Sequence, residues 1–179
     1  AELRFTFRGK SGKEHDVGLH DRRLARVMRR LQELPGQEVF QYLDEDGHRQ
    51  SIDSDDVNAY LREIAGEEFS AKDFRTWAGT VLCAVALREV DACGSETEAK
   101  RNVTQAVKTV AQQLGNTPAV CRSCYIHPTV IEAYFESYDR APLADALGNH
   151  LERASASSET DLGDDEAAVL RLLRRRLAS

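Results

Sequence analysis

Tyr125 closes the stretch Leu114-Gly115-Asn116-Thr117-Pro118-Ala119-Val120-Cys121-Arg122-Ser123-Cys124-Tyr125, and Lys72-Asp73-Phe74-Arg75-Thr76-Trp77 lies upstream of it. A phenol oxygen can attack phosphorus and form a covalent phosphotyrosine. Lys72 and Arg75, three residues apart, fall on one face of a helix. A guanidinium there can grip two non-bridging phosphate oxygens at once. Read together, the two segments point to cutting and rejoining of a nucleic-acid strand with neither metal nor ATP. Taken singly, each has a plainer reading: a surface Lys/Arg pair on an amphipathic helix, and a half-buried tyrosine whose hydroxyl is satisfied. Tyr134 and Tyr138 are weaker nucleophiles, because they continue the apolar stripe of Val130, Ile131 and Phe135.

Other motifs carry less. Cys121 and Cys124 form a CxxC with His127 three residues on, but zinc needs a fourth ligand, and Cys83 and Cys93 are not a second close pair. Two reduced thiols are the plainer state. The haem-attachment pattern fails, because Tyr125 occupies its histidine position. Gly9-Lys10-Ser11 ends like a phosphate-binding loop, yet the upstream glycine and the following helix are missing. No metal and no cofactor are expected.

These residues need elements to hold them. Leu3, Phe5 and Phe7 alternate with polar residues, and His15 to Leu19 can return as a partner strand, so residues 2–19 read as a hairpin whose turn carries Lys10 and Lys13. Leu24, Val27, Met28, Leu31 and Leu34 recur at helical spacing, with Arg22, Arg26, Arg29 and Arg30 on the other face and Pro35-Gly36 as the stop. That arginine face is either a solvated surface or one turned to phosphate. Residues 44–56 read as an acidic, turn-rich loop. Asp53 or Ser54 caps a helix through Val57, Tyr60, Leu61 and Ile64, closed by Gly66. Ser70 caps a helix over about 71–90, in which Phe74 and Trp77 face the core. Ser95-Glu96-Thr97-Glu98 is a capping box opening a helix that stops at Gly115. His127-Pro128 starts another. Ala154 to Asp165 is polar and reads as a linker, followed by a short amphipathic helix from Ala167 to Leu177 with Arg171, Arg174, Arg175 and Arg176.

The chain of 179 residues is 41% hydrophobic and 30% charged, which fits one soluble domain with a small appendage. No apolar run reaches the roughly 18 residues of a membrane helix, and no signal peptide is visible. Four cysteines do not make a secreted disulfide scaffold. A cytoplasmic, nucleoid-associated monomer is expected. The net charge of −6 argues against a nucleic-acid partner. Its distribution softens that: residues 41–70 hold nine Asp/Glu against two Lys/Arg, while residues 1–40 and 71–130 carry a small excess of base.

In this order, the pieces resemble type IB DNA topoisomerases, specifically the catalytic domain of the small poxvirus and bacterial enzymes. Phe7-Arg8-Gly9-Lys10 is similar to the hairpin that carries that family's catalytic lysine. Lys72-Asp73-Phe74-Arg75-Thr76-Trp77 is similar to its KxxR-T-aromatic element, whose arginine binds the scissile phosphate. Leu114-Gly115-Asn116-Thr117-Pro118 with Tyr125 is similar to its GHTP…Y element. The resemblance runs from about residue 3 to about residue 138. It implies a mainly α fold with a small N-terminal β-hairpin, an α+β architecture shared with tyrosine recombinases. In those the second motif is HxxR, and Lys72 at the histidine position points to the topoisomerase branch. A DNA-binding module without catalysis is the reading from another class.

By this resemblance Tyr125 is the nucleophile that forms a 3′-phosphotyrosine and expels a 5′ hydroxyl, on double-stranded DNA. Lys10 protonates the leaving oxygen, Arg75 clamps the pentacoordinate phosphorus, and Asn116 adds a donor. Lys72, Lys13 and Arg122 contact DNA. Two departures stand out. Asn116 replaces the family's histidine, keeping a hydrogen-bond donor and losing a positive charge. The family's further catalytic arginine, on a helix before the hairpin, has no counterpart in Arg4 or Arg8. The expectation is therefore a catalytic domain over residues 1–153, lacking the N-terminal domain and first arginine, with residues 154–179 as linker and basic helix. Such a fragment folds but relaxes DNA poorly alone.

Overall fold

The alternation of Leu3, Phe5 and Phe7 is realised as strand β1 (Glu2–Arg8), paired antiparallel with β2 (Glu14–His20). The computed structural model describes residues 2–9, 12, 14–36, 38–139 and 163–178, which fall into two compact units, Ala1–Ala71 and Lys72–Ser179. In the first, the register sets Leu3 opposite Leu19 and Phe5 opposite Val17, and Phe7 stacks on His15 at 5.1 Å. Cross-strand apolar and aromatic pairs of this kind hold a two-stranded ribbon. Gly12 closes the turn at φ +76, with its N–H on Gly9 O. Lys10 and Lys13 lie outside the described residues.

Helix α1 (Arg22–Gln32) starts where the Asp21 carboxylate accepts the N–H groups of Arg23 and Leu24. It buries Ala25 and Met28, but Leu24 and Val27 stay exposed, so the inward face is narrower than the periodicity suggests. Residues 44–56 are more than a loop. Strands β3 (Gln41–Leu43) and β4 (Arg49–Ser51) pair across a turn in which Asp44 Oδ1 accepts from the N–H of Asp46 and of His48. Three-residue strands are too short to show a period, and the acidic residues that suggested a loop are the turn itself. Asp53 caps α2 (Ser54–Ala65) in a reciprocal box with Asp56, and Gly66 ends it at φ +118. No residue of α2 is buried.

The main core lies in the second unit. Helix α3 (Ala71–Arg88) turns Gly79, Thr80, Cys83, Ala84 and Leu87 inward. Its first N–H, of Ala71, donates to Asn58 Oδ1. Phe74 does not face the core: it is 51% exposed, because it stands about half a turn out of phase with Cys83. Trp77 packs against the core and donates its indole N–H to Glu166 Oε1 at 3.0 Å. Helix α4 (Glu96–Gln113) opens on Ser95, which accepts from Glu98 N–H, and buries Ala99, Val103, Ala106, Val107, Val110 and Ala111. After it come a single turn, α5 (Pro118–Val120), a π-helical turn (Cys121–Tyr125) and α6 (Pro128–Ser137), whose Val130, Ile131, Ala133 and Tyr134 complete the inner face.

Helix α7 (Asp164–Leu177) begins earlier than the polar composition suggests. Asp164, Asp165 and Glu166 form its first turn, where carboxylates complement the helix dipole. It is also part of the core: Ala168, Val169 and Leu172 join the cluster of α3, α4 and α6. Arg176 pairs with Glu136 at 2.7 Å, and Arg88 with Asp165. Leu172 is 1% exposed. Leu172→Ala should therefore cost about 2–5 kcal/mol by leaving a cavity, read as a lowered midpoint in chemical denaturation. A change below about 1 kcal/mol would mean that α7 contributes no core packing.

Candidate active site

The end of α4 is built to stop and turn. Gly115 takes φ +63, its N–H donates to Gln112 O, and Asn116 N–H donates to Ala111 O at 2.8 Å. This is the Schellman closure, in which a residue in the left-handed region satisfies the last carbonyls of the helix. Asn116 is thereby held, half-buried, just past the helix. Its Oδ1 accepts from Thr117 N–H at 2.9 Å, which leaves the amide NH₂ as the donor end. Thr117 then caps the next turn through Val120 N–H, with Pro118 at the first helical position.

The chain continues from α5 into the π-helical turn that ends at Tyr125. Such wide turns are rare and cluster at functional positions. Ile126 follows in an extended conformation, and His127 caps α6 by accepting Thr129 N–H on Nδ1. Tyr125 is half-buried. Tyr134 is different: it is 1% exposed, its hydroxyl accepts from Asn102 Nδ2 at 2.9 Å, and burial pushes its phenol above the ordinary range. A phenol closed in that way cannot reach a phosphodiester.

Arg75 reaches over to this segment from the first turns of α3. Its Nη2 donates to Leu114 O at 2.6 Å, and its guanidinium carbon lies 5.3 Å from the centre of the Tyr125 ring. The arginine is thus tied to the end of α4 and stacked on the tyrosine, with its remaining N–H groups available to an anion. Lys72 lies one turn earlier on α3 and is exposed, and Arg122 is exposed on the π-helical turn. Within the second unit the fold brings Arg75 and Tyr125 into contact, and Asn116 follows directly on the Leu114-Gly115 stop that Arg75 binds.

The cysteines of this segment differ. Cys121 is fully buried and Cys124 is exposed, both as free thiols. Burial raises the Cys121 thiol, opposed by the nearby Arg75 charge, and burial pushes the Cys83 thiol up to about 12. Neither is poised as a thiolate nucleophile.

Sequence reasoning quoted Thr76 only as part of the Lys72–Trp77 element, and missed Gly79 and Thr80, which with it line the backbone around the tyrosine. Thr76 Oγ1, which also donates back to Lys72 O, lies 3.3 Å from Cys124 O. Thr80 Oγ1 accepts from His127 N–H at 3.1 Å. Between them, Gly79 packs directly on Tyr125. The one visible signal was a glycine inside an otherwise good helix.

Residues 1–142 match the family model of the eukaryotic DNA topoisomerase I catalytic core. The chain is also 31% identical over 145 residues to a protein of Acanthamoeba polyphaga mimivirus named DNA topoisomerase 1B. That alignment covers 74% of this chain and 41% of the viral protein, so the chain spans about two-fifths of the relative's length.

Proposed function

This chain belongs to the type IB DNA topoisomerases, the family of the topoisomerase I catalytic core, and from that premise we propose that it cleaves and rejoins one strand of double-stranded DNA through Tyr125. The observation that carries the proposal is the pairing of Arg75 with Tyr125, 5.3 Å apart, at the end of a stopped helix. Tyrosine ionises near pH 10, so its neutral hydroxyl is a poor nucleophile. A guanidinium over the ring is placed, with phosphate bound, to meet the negative charge that develops on the pentacoordinate phosphorus as the phenol oxygen attacks.

The proposed step is in-line displacement. Tyr125 gives up its phenol proton to solvent as Oη bonds to phosphorus, the bond to the 5′ oxygen breaks, and Lys10 gives that oxygen its proton. The DNA 3′ end is left on the tyrosine and a 5′ hydroxyl is free. Arg75 and Asn116 hold the non-bridging oxygens, and Lys72, Lys13 and Arg122 contact the backbone. The phosphotyrosine conserves the energy of the cut bond, so religation is the reverse attack and needs no ATP. Rotation of the free strand between the two steps releases supercoils, with the protein acting as a monomer.

The test is a suicide DNA substrate whose 5′ strand diffuses away after cleavage, followed by mass spectrometry of the adduct. A phosphodiester on Tyr125 is expected. No adduct at all would leave a DNA-binding module without catalysis, and an adduct on another tyrosine would overturn the assignment. The role of Lys10 separates on a 5′-bridging phosphorothiolate, whose sulfur leaves without a proton. Lys10→Ala should cleave ordinary DNA slowly, by about 10²–10⁴-fold, and the sulfur substrate at close to the normal rate. Equal loss on both would move the proton donor to Lys13 or Lys72.

A further inference from the structure

A helix or turn ends with carbonyl groups that have no partner within it. The π-helical turn ends at Cys124 and Tyr125, and there α3 lies against it. Thr76 Oγ1 is 3.3 Å from Cys124 O, and Thr80 Oγ1 takes the His127 N–H at 3.1 Å while donating its own proton to Thr76 O at 2.7 Å. Between these two threonines along α3 is Gly79. A Cβ on Gly79 would stand 2.5 Å from Tyr125 O and 3.2 Å from both Tyr125 C and Leu114 Cδ1. The first of these distances is far inside van der Waals contact, and the atom it meets is backbone. No rotamer change relieves it, so the turn itself must move.

From this geometry we infer that Thr76, Gly79 and Thr80 form a seat on α3 that sets the position of the Tyr125 backbone, and that Gly79 is the positioning residue on which it depends. The glycine lets the two segments touch; Thr80 holds the His127 N–H just after the tyrosine, and the Thr76 hydroxyl, whose proton is shared with Lys72 O, faces the Cys124 carbonyl just before it. Leu114, whose carbonyl binds Arg75, packs on the same glycine. One small residue thereby sets both the tyrosine and the anchor of the arginine. The inference rests on the proposal that Tyr125 is the nucleophile. An in-line attack is sensitive to displacement, and about 1 Å of misplacement can cost roughly 10²-fold in rate.

Gly79→Ala in the full chain should slow adduct formation on saturating suicide DNA by about 10²-fold, with DNA affinity little changed. It should slow the phosphorothiolate substrate equally, because a sulfur leaving group replaces a proton donor and does not reposition a nucleophile. Thiol alkylation gives a second readout that needs no activity. In the wild type, iodoacetamide should modify exposed Cys124 and spare buried Cys83, Cys93 and Cys121. In Gly79→Ala, Cys121 should become reactive while Cys83 and Cys93 stay protected, which marks displacement of the turn rather than unfolding. Trypsin cuts after Arg122 and so separates Cys121 from Cys124 in the peptide map. If Gly79→Ala fails to fold, Thr76→Val and Thr76→Ser decide the matter: serine keeps the hydroxyl and should restore cleavage, and valine should not. A Gly79→Ala protein that cleaves normally or keeps Cys121 protected overturns the inference, as do equal rates for Thr76→Val and Thr76→Ser. If the wild type itself forms no adduct, the reading of Tyr125 fails, and the alkylation pattern still decides whether the seat exists.

Discussion

Tyr125→Phe is expected to abolish the covalent DNA adduct and leave non-covalent DNA binding nearly unchanged. The substitution removes one oxygen and little else. A phenylalanine ring keeps the face on which the Arg75 guanidinium stacks, 5.3 Å from the ring centre. The contacts that hold this segment to α3 run through backbone atoms of Cys124, Tyr125 and His127, which the change does not touch. Any loss therefore belongs to the missing nucleophile and not to a rearranged site. Gel-shift affinity in reducing, low-salt buffer gives the binding arm, and denaturing electrophoresis of the trapped complex gives the chemical arm. A surviving adduct in Tyr125→Phe would require another nucleophile, and Tyr134, closed in the core with its hydroxyl on Asn102, is poorly placed to supply one.

Arg75→Lys should lower the cleavage rate by about 10²–10³-fold, the usual cost of losing one preorganised donor to a developing oxyanion. An ammonium keeps the charge but has no planar fork. It cannot hold two phosphate oxygens in parallel, and it cannot reproduce the combination of a hydrogen bond to Leu114 O and a flat stack on Tyr125. Because Arg75 is exposed, the fold should tolerate the change, with a denaturation midpoint close to that of the parent. Cleavage at the normal rate would reduce Arg75 to a surface charge.

Much of the architecture was open to reading along the chain. Helix boundaries near Asp53, Ser95, Gly115 and Pro128 rest on local chemistry: a carboxylate or hydroxyl that accepts the first N–H groups, a glycine that enters the left-handed region, a proline that needs no N–H. Each acts within a few residues, so each is visible in a short window. The hairpin of β1 and β2 is equally local. The β3–β4 hairpin escaped because strands of three residues carry no period, and the start of α7 escaped because its acidic first turn looks like linker.

What the sequence determined by itself was the inventory and its order: a lysine-bearing hairpin, a helix with Lys72 and Arg75, a stopped helix with Asn116, and a tyrosine at an element boundary. Only the tertiary structure decided which of these meet. The Arg75 bond to Leu114 spans 39 residues, Thr76 to Cys124 spans 48, and Trp77 to Glu166 spans 89. No periodicity encodes contacts at such separations, because they depend on how the faces of α3, α4 and α7 pack after each helix has formed. The same packing sends Phe74 to the surface, closes Cys121 and Tyr134 into the core, and makes Gly79 the residue on which Tyr125 rests. A glycine in a helix looks like a weak point when only its neighbours in sequence are considered. It becomes a requirement once another backbone lies 2.5 Å from where its side chain would begin.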